Sequence, residues 1–157
     1  MIELAIPGRG IIQLEYAVFD VNGTLATDGL LIYGVAEQIA VLRGKLAVRL
    51  LTADTHGKQV EIDQQLTFTA DRLKPGGRER EQKAEYIFVL GAHQVVAIGN
   101  GANDVDMLKA AAISIAVIGH EGLSGEALAA ADVVVNDIHD AIDLLLNPKR
   151  LIATLRR

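Results

Sequence analysis

The 157-residue sequence contains no cysteine and no tryptophan, and aromatic residues make up only 4% of it. Without cysteine there can be no disulfide, no thiolate zinc site and no thiol nucleophile. The scarcity of aromatic rings leaves little from which to build stacking platforms for bases or sugars. Positive charge is also short: 15 Lys and Arg face 20 Asp and Glu, for a net charge of −5. Binding of nucleic acid through charge alone is therefore not expected. No apolar run approaches the roughly 18–20 residues of a membrane-spanning helix, so no membrane partner is expected. The opening Met1-Ile2-Glu3-Leu4 lacks a basic n-region, and a signal peptide is not expected. A cytoplasmic protein is the default expectation. What is present is a globular balance, 50% apolar and 22% charged, over a length that suits one domain spanning residues 1–157.

Short β-branched runs alternate with longer helical patterns. Ile2 to Ile6 and Ile11 to Phe19 read as two strands joined by the Pro7-Gly8-Arg9-Gly10 turn. Further strands are expected at Leu46–Leu51, Leu66–Ala70, Gln94–Ile98, Ile113–Ile118 and Asp132–Val135. Helices are expected at Val35–Leu42, Gly57–Gln65, Arg78–Leu90, Asp104–Ala111, Ser124–Ala130 and Ile138–Leu146. A last helix follows Asn147-Pro148, read as an N-cap and a first-turn proline. Continuous apolar strands alternating with helices imply an α/β fold: a Rossmann-like parallel sheet with helices on both faces and an N-terminal β-hairpin.

Ligands of open parallel sheets bind at the carboxyl ends of the strands. Three strand ends are rich in polar residues: Asp20-Val21-Asn22-Gly23-Thr24-Leu25, Thr52-Ala53-Asp54-Thr55 and Gly99-Asn100-Gly101-Ala102-Asn103-Asp104. Clustered acidic oxygens suit a hard divalent cation such as Mg²⁺. Backbone N–H groups in Gly-rich turns, together with hydroxyls, suit phosphate oxygens. Each segment alone is also compatible with an ordinary turn or helix cap. Their shared chemistry on one sheet edge points to phosphoryl chemistry. The four histidines, at 56, 93, 120 and 139, lack metal-binding spacing.

At these residues the sequence resembles the haloacid dehalogenase (HAD) superfamily. Asp20 to Leu25 is similar to its first motif, Asp-x-Asp-Gly-Thr. Thr52-Ala53-Asp54 and Gly99 to Asp104 are similar to the second and fourth motifs as they occur in the phosphorylation domain of P-type ATPases. Lys83, sixteen residues before Gly99, falls where the third-motif lysine belongs. Lys74 is the competing lysine, but it precedes Pro75 and is expected to be extended. The resemblance covers Tyr16 to Ile142. It implies Asp20 as nucleophile, Thr52 as a phosphoryl contact and Lys83 as the charge-neutralising lysine. It also implies phosphate contacts from Gly23, Thr24, Ala53 and Asn103. Asp20, Asn22, Asn100 and Asp104 would form the Mg²⁺ site, with Asn22 contributing its backbone carbonyl and also occupying the catalytic acid/base position.

Two positions depart from the family pattern. Asn22 stands where an Asp acid/base is usual, and Asn100 replaces an acidic metal ligand. Fewer than thirty residues separate Thr24 from Thr52, and likewise Thr55 from Lys83. Neither interval holds a cap domain, though Ala26 to Tyr33 suits a small hairpin flap. An open site of this kind is compatible with a homo-oligomer in which a second copy closes it. The implied function is a Mg²⁺-dependent phosphohydrolase acting on a small phosphorylated substrate through an aspartyl-phosphate, with slow turnover. The alternative is a catalytically weak phosphate-binding or regulatory module of the same fold.

Overall fold

The computed structural model describes residues 1–157. Two strands, β1 (Ile2–Ile6) and β2 (Gly10–Leu14), form an antiparallel hairpin. The chain then enters a six-stranded, fully parallel sheet. Its strands are β3 (Tyr16–Asp20), β6 (Ala47–Thr52), β7 (Asp71–Arg72), β8 (Val95–Gly99), β9 (Ile113–Val117) and β10 (Val133–Val135), in the spatial order β10-β9-β8-β3-β6-β7. A second small hairpin, β4 (Ala26–Thr27) and β5 (Leu30–Leu31), forms the expected flap. No cap domain is inserted between these elements.

Strand side chains alternate between faces, and the two cores follow that alternation. Ala17 and Phe19 of β3 join the larger core with α1 (Val35–Leu42), α2 (Gln59–Leu66) and α6 (Ile138–Leu146). Val18 joins the smaller core with α3 (Glu79–Leu90), α4 (Val105–Ala110) and α5 (Gly125–Ala130). Asp20 has the parity of Val18 and therefore faces α3. The N-terminal hairpin and α7 (Pro148–Leu155) extend the larger core through Leu4, Ile6, Leu151 and Leu155. Arg9 ties the hairpin to the sheet, with Nη1 2.9 Å from Asp132 Oδ1 and Nη2 donating to the Ala112 carbonyl at 3.2 Å.

Three expectations need correction. The run from Ile11 to Phe19 is two strands in different sheets, broken at Glu15. The Glu15 N–H donates to the Gln94 carbonyl at 2.9 Å, and its carbonyl accepts from Ala47 N–H at 2.9 Å. No Gly, Pro, Asn or Asp marks this corner in the sequence, so the strand pattern runs through it. Leu66 to Ala70 is not a strand: Leu66 ends α2, Thr67 is left-handed at φ 63°, and pairing begins only at Asp71. Asp63 sets this geometry by accepting from Ala70 N–H at 3.0 Å and Arg72 Nη1 at 2.6 Å. Asn147 does not cap α7 with its side chain; its Nδ2 donates back to the Asp143 carbonyl at 3.0 Å.

The sheet positions the candidate site directly. The chain moves from β3 to β6 on one side and returns to β8 on the other. The crevice at the carboxyl ends of β3, β6 and β8 is therefore a topological switch point.

Candidate active site

Asp20 ends β3, pointing toward α3. On α3, Lys83 and Ile87 are four residues apart and share the face turned to the sheet, where both are buried. Lys83 is 1% exposed, Asp20 6% and Asp104 0%. The Lys83 ammonium lies 2.7 Å from Asp20 Oδ1 and 2.7 Å from Asp104 Oδ1. Lys74 is exposed and its backbone N–H is held by Gln82, so Lys83 is the lysine brought to Asp20.

Two carboxylates thus share one ammonium in a nearly dry site. Burial, followed by the charge of Asp104, pushes the Asp20 carboxyl up to about 7 against the pull of Lys83 and Thr24. Burial alone would lower the Lys83 pKa. The charges of Asp20 and Asp104 outweigh it and hold the ammonium above the ordinary lysine range.

The loops around this triad are closely tied. Thr24 Oγ1 is 3.2 Å from Asp20 Oδ2 and 3.3 Å from Asn100 Oδ1. A Cβ at Gly23 would stand 2.6 Å from Asn100 Nδ2, and Gly23 has φ 84°, so only glycine fits there. Asp104 Oδ2 accepts from the N–H groups of Asn100 at 3.0 Å and Gly101 at 2.9 Å. Asn100 Nδ2 donates to the Gly122 carbonyl at 3.2 Å. An aspartate at position 100 has no donor for that bond.

On β6, Thr52 Oγ1 accepts from Asp54 N–H at 2.8 Å and lies 3.5 Å from Asn22 Nδ2. Its own hydroxyl proton is left to donate. Asp54, left-handed at φ 54°, accepts from Gln59 N–H at 3.1 Å and so orders the start of α2.

The other groups expected to contact phosphate have the following partners in the structure. Gly23 N–H donates to the Ala26 carbonyl at 2.7 Å, and Thr24 N–H to the Val21 carbonyl at 3.1 Å. Both donors serve the turn. Asn103 Nδ2 donates to Glu79 Oε2 at 2.8 Å, which holds it against α3. Ala53 lies exposed at the end of β6, directly after Thr52. Glu79 and Gln82, which organise this edge from α3, carry no motif and were not singled out from the sequence. Only their helical spacing from Lys83 could have pointed to them.

The chain and its fold are similar to known proteins. A family model of haloacid dehalogenase-like hydrolases matches residues 86–141. MJ0073, an uncharacterised protein of Methanocaldococcus jannaschii, is 52% identical over 63 residues, covering 40% of this chain and 68% of that protein. A phosphoserine phosphatase of Lactococcus lactis is 36% identical over 92 residues, covering 59% of this chain but only 35% of the enzyme. The 3-deoxy-D-manno-octulosonate 8-phosphate phosphatase of Moraxella catarrhalis was solved with magnesium, phosphate and KDO. It has the same fold, with a TM-score of 0.63 at 17% identity over 91% of this chain and 94% of that one. A zinc-transporting PIB-type ATPase in its E2.Pi state is 27% identical with a TM-score of 0.61, over 79% of this chain and 20% of the pump.

Residues 86–141 thus match the haloacid dehalogenase-like hydrolase model, and the chain resembles proteins of that superfamily. The chain is similar in fold both to a free-standing phosphatase and to part of a P-type ATPase. No helix is long and apolar enough to cross a membrane.

Proposed function

We propose that this protein is a Mg²⁺-dependent phosphohydrolase working through a covalent phosphoryl group on Asp20. The observation that carries this reading is the buried Asp20–Lys83 pair at 2.7 Å, at the switch point of the sheet. A carboxylate nucleophile needs such a cation to approach a phosphate dianion.

The residues present fit a divalent metal. With both carboxylates ionised, Asp20, Asp104 and Lys83 leave one uncompensated negative charge in a buried site, and the groups there that can ligate a metal offer oxygens. Asp20, the Asn22 carbonyl and Asp104 would hold Mg²⁺, with Asn100 Oδ1 beside them through Thr24. When bound, the ion supplies charge neutralisation at the phosphoryl oxygens.

The protein's own groups then have defined tasks. An oxygen of Asp20 attacks phosphorus as the bond to the leaving-group oxygen breaks. Thr52 donates its hydroxyl proton to a phosphoryl oxygen, Ala53 presents its N–H, and Lys83 neutralises the charge that develops. Asn22 cannot protonate the departing oxygen, which leaves as an anion. Water then attacks phosphorus, releasing phosphate and restoring the Asp20 carboxylate. No group at position 22 assists that water, so turnover is slow.

Asn22 is also the observation that favours a second reading, a phosphate-binding module without turnover. Incubation with ³²P-labelled acetyl phosphate and Mg²⁺ separates the two. The phosphohydrolase reading expects acid-stable protein labelling and phosphate release, both lost in Asp20→Asn. Phosphate binding without label in the wild type establishes the module instead.

A further inference from the structure

The fourth-motif loop meets α3 through two consecutive side chains. Asn103 Nδ2 donates to Glu79 Oε2 at 2.8 Å, and Asp104 Oδ1 lies 2.7 Å from the Lys83 ammonium. Glu79 and Lys83 are four residues apart on α3, about 6 Å along one face of the helix. Asn103 and Asp104 end the short 3₁₀ turn Ala102–Asp104, whose successive side chains diverge by about 120°. Two attachment points of this kind fix the rotation of the loop as well as its distance from α3. With Lys83 as the single attachment, the loop is free to pivot about Asp104.

Asn103 is held at both ends. Its Nδ2 is on Glu79, and its Oδ1 is seated over Gly101, where an added Cβ would stand 2.6 Å away. Gly101 in turn donates its N–H to Asp104 Oδ2 at 2.9 Å. The carboxylate of Glu79 forms no ion pair, so Asn103 has it undivided. The neighbouring Arg80 reaches Asp106 on α4 at 3.1 Å and Glu126 on α5 at 3.2 Å. Those pairs are open to solvent, where ion pairs hold geometry weakly, and they tie the helices that follow the loop.

We propose that Glu79 is a positioning residue: by holding Asn103 it sets the orientation of Asp104, and with it the sharing of Lys83 between Asp104 and Asp20. This rests on the phosphoryl-transfer reading of the site. Asn103 is then a tether within the protein and not a ligand of the phosphoryl group. Glu79, which does not touch substrate, governs the rate at which Asp20 is phosphorylated and not the affinity for the phosphoryl donor.

Labelling of Asp20 by ³²P-acetyl phosphate with Mg²⁺ tests it, in variants whose circular dichroism matches the wild type. Glu79→Ala should lower the maximal labelling rate about 10–100-fold, the scale of a misplaced reacting group, and leave the half-saturating acetyl phosphate concentration unchanged. Glu79→Gln keeps the length and an acceptor oxygen, and should restore the rate. Glu79→Asp keeps the charge in the first turn of α3 but is one methylene short of Asn103, and should behave as Glu79→Ala does. The opposite order, with Glu79→Asp fast and Glu79→Gln slow, would mean that only charge at the helix start matters, and would overturn the proposal. So would a wild-type rate in Glu79→Ala. Asn103→Ala should match Glu79→Ala, and the double variant should be no slower than either. An Asn103→Ala variant that is slower still and needs more acetyl phosphate would put Asn103 on the phosphoryl group and overturn the tether. Absence of labelling in the wild type would overturn the phosphoryl-transfer reading itself, and the proposal with it.

Discussion

The ammonium of Lys83 is shared evenly between Asp20 and Asp104, at 2.7 Å from each. One carboxylate receives the phosphoryl group in the proposed reaction. The other is locked into the fourth-motif loop by two backbone N–H groups. The lysine thus couples the proposed nucleophile to the loop that carries Asp104, a proposed metal ligand. Lys83→Ala leaves two buried carboxylates facing each other without a cation. Removing one partner of a buried ion pair costs about 3–5 kcal/mol. The variant should lose stability on that scale in urea denaturation and lose several orders of magnitude in phosphoenzyme formation. Mg²⁺ should restore part of the stability and little of the rate. A variant as stable as the wild type would show that the shared ammonium does not hold the site.

The raised Asp20 pKa gives the metal-free protein a distinctive pH dependence. An unfolded Asp titrates near 3.8, and the folded group near 7. Between those values the folded state holds a proton that the unfolded chain has released. The contribution of Asp20 to stability therefore falls as pH rises from about 4 to 7 and is flat above. Thermal unfolding in EDTA, compared with Asp20→Asn, isolates this slope. The difference between the two proteins should move against the wild type across that window. Saturating Mg²⁺ should abolish the slope, because a cation favours the ionised carboxylate. Parallel pH profiles in EDTA would refute the assignment.

Asn22 sets the kinetics expected of the reaction. General acid–base help is typically worth about 10²–10⁴-fold. Without it, good leaving groups such as p-nitrophenol and acyl groups should react far better than sugar alcohols. Hydrolysis of p-nitrophenyl phosphate should show a burst near one equivalent per site. Asn22→Asp should accelerate the slow phase and extend hydrolysis to alkyl phosphates. Unchanged turnover and leaving-group preference in that variant would mean that position 22 is not the acid/base position.

Asp63 lies outside the site and governs how the chain leaves α2 for β7. Burial opposes its ionisation, but hydrogen bonds from the Gln59 side chain, Ala70 N–H and Arg72 outweigh it and hold its pKa below 3.8. A depressed carboxyl contributes stability that is present above 3.8 and lost as pH falls through the folded value. Asp63→Asn should cost about 1–3 kcal/mol at pH 7, since hydrogen bonds to charged groups carry that weight. It should also flatten the acid limb of the stability profile. An acid limb of wild-type steepness in the variant would place the proton uptake elsewhere.

The chemistry-bearing residues were legible because strand ends are punctuated in sequence. A buried parallel strand is a continuous apolar run, so the first polar residue after it marks the carboxyl edge of the sheet. Asp20, Thr52 and Asn100 all stand at such points. Lys83 was legible through its interval to Gly99, and its helical register with the apolar Ile87 gives the physical reason it turns inward. The Glu15 corner was not legible, because no turn residue marks it and the partners that draw β3 into the other sheet, β6 and β8, are remote in sequence. The end of α2 was missed for a related reason: the carboxylate that draws the chain around, Asp63, lies inside the helix it terminates.

By itself the sequence determined which residue types stand at each strand end, and hence an acidic, hydroxyl-bearing edge without cysteine, excess positive charge or room for a cap. Only the tertiary structure decided how those groups are used. Gly23 and Thr24 spend their N–H groups within the turn, and the Asn100 amide bridges Thr24 and Gly122. Gln82 fixes the loop after β7 beside Thr52, although the two are thirty residues apart. Hydrogen bonding is the reason. A polar side chain in sequence offers several donors and acceptors, and burial makes each of them find a partner. Which partner it finds depends on loops that meet only when the sheet has assembled.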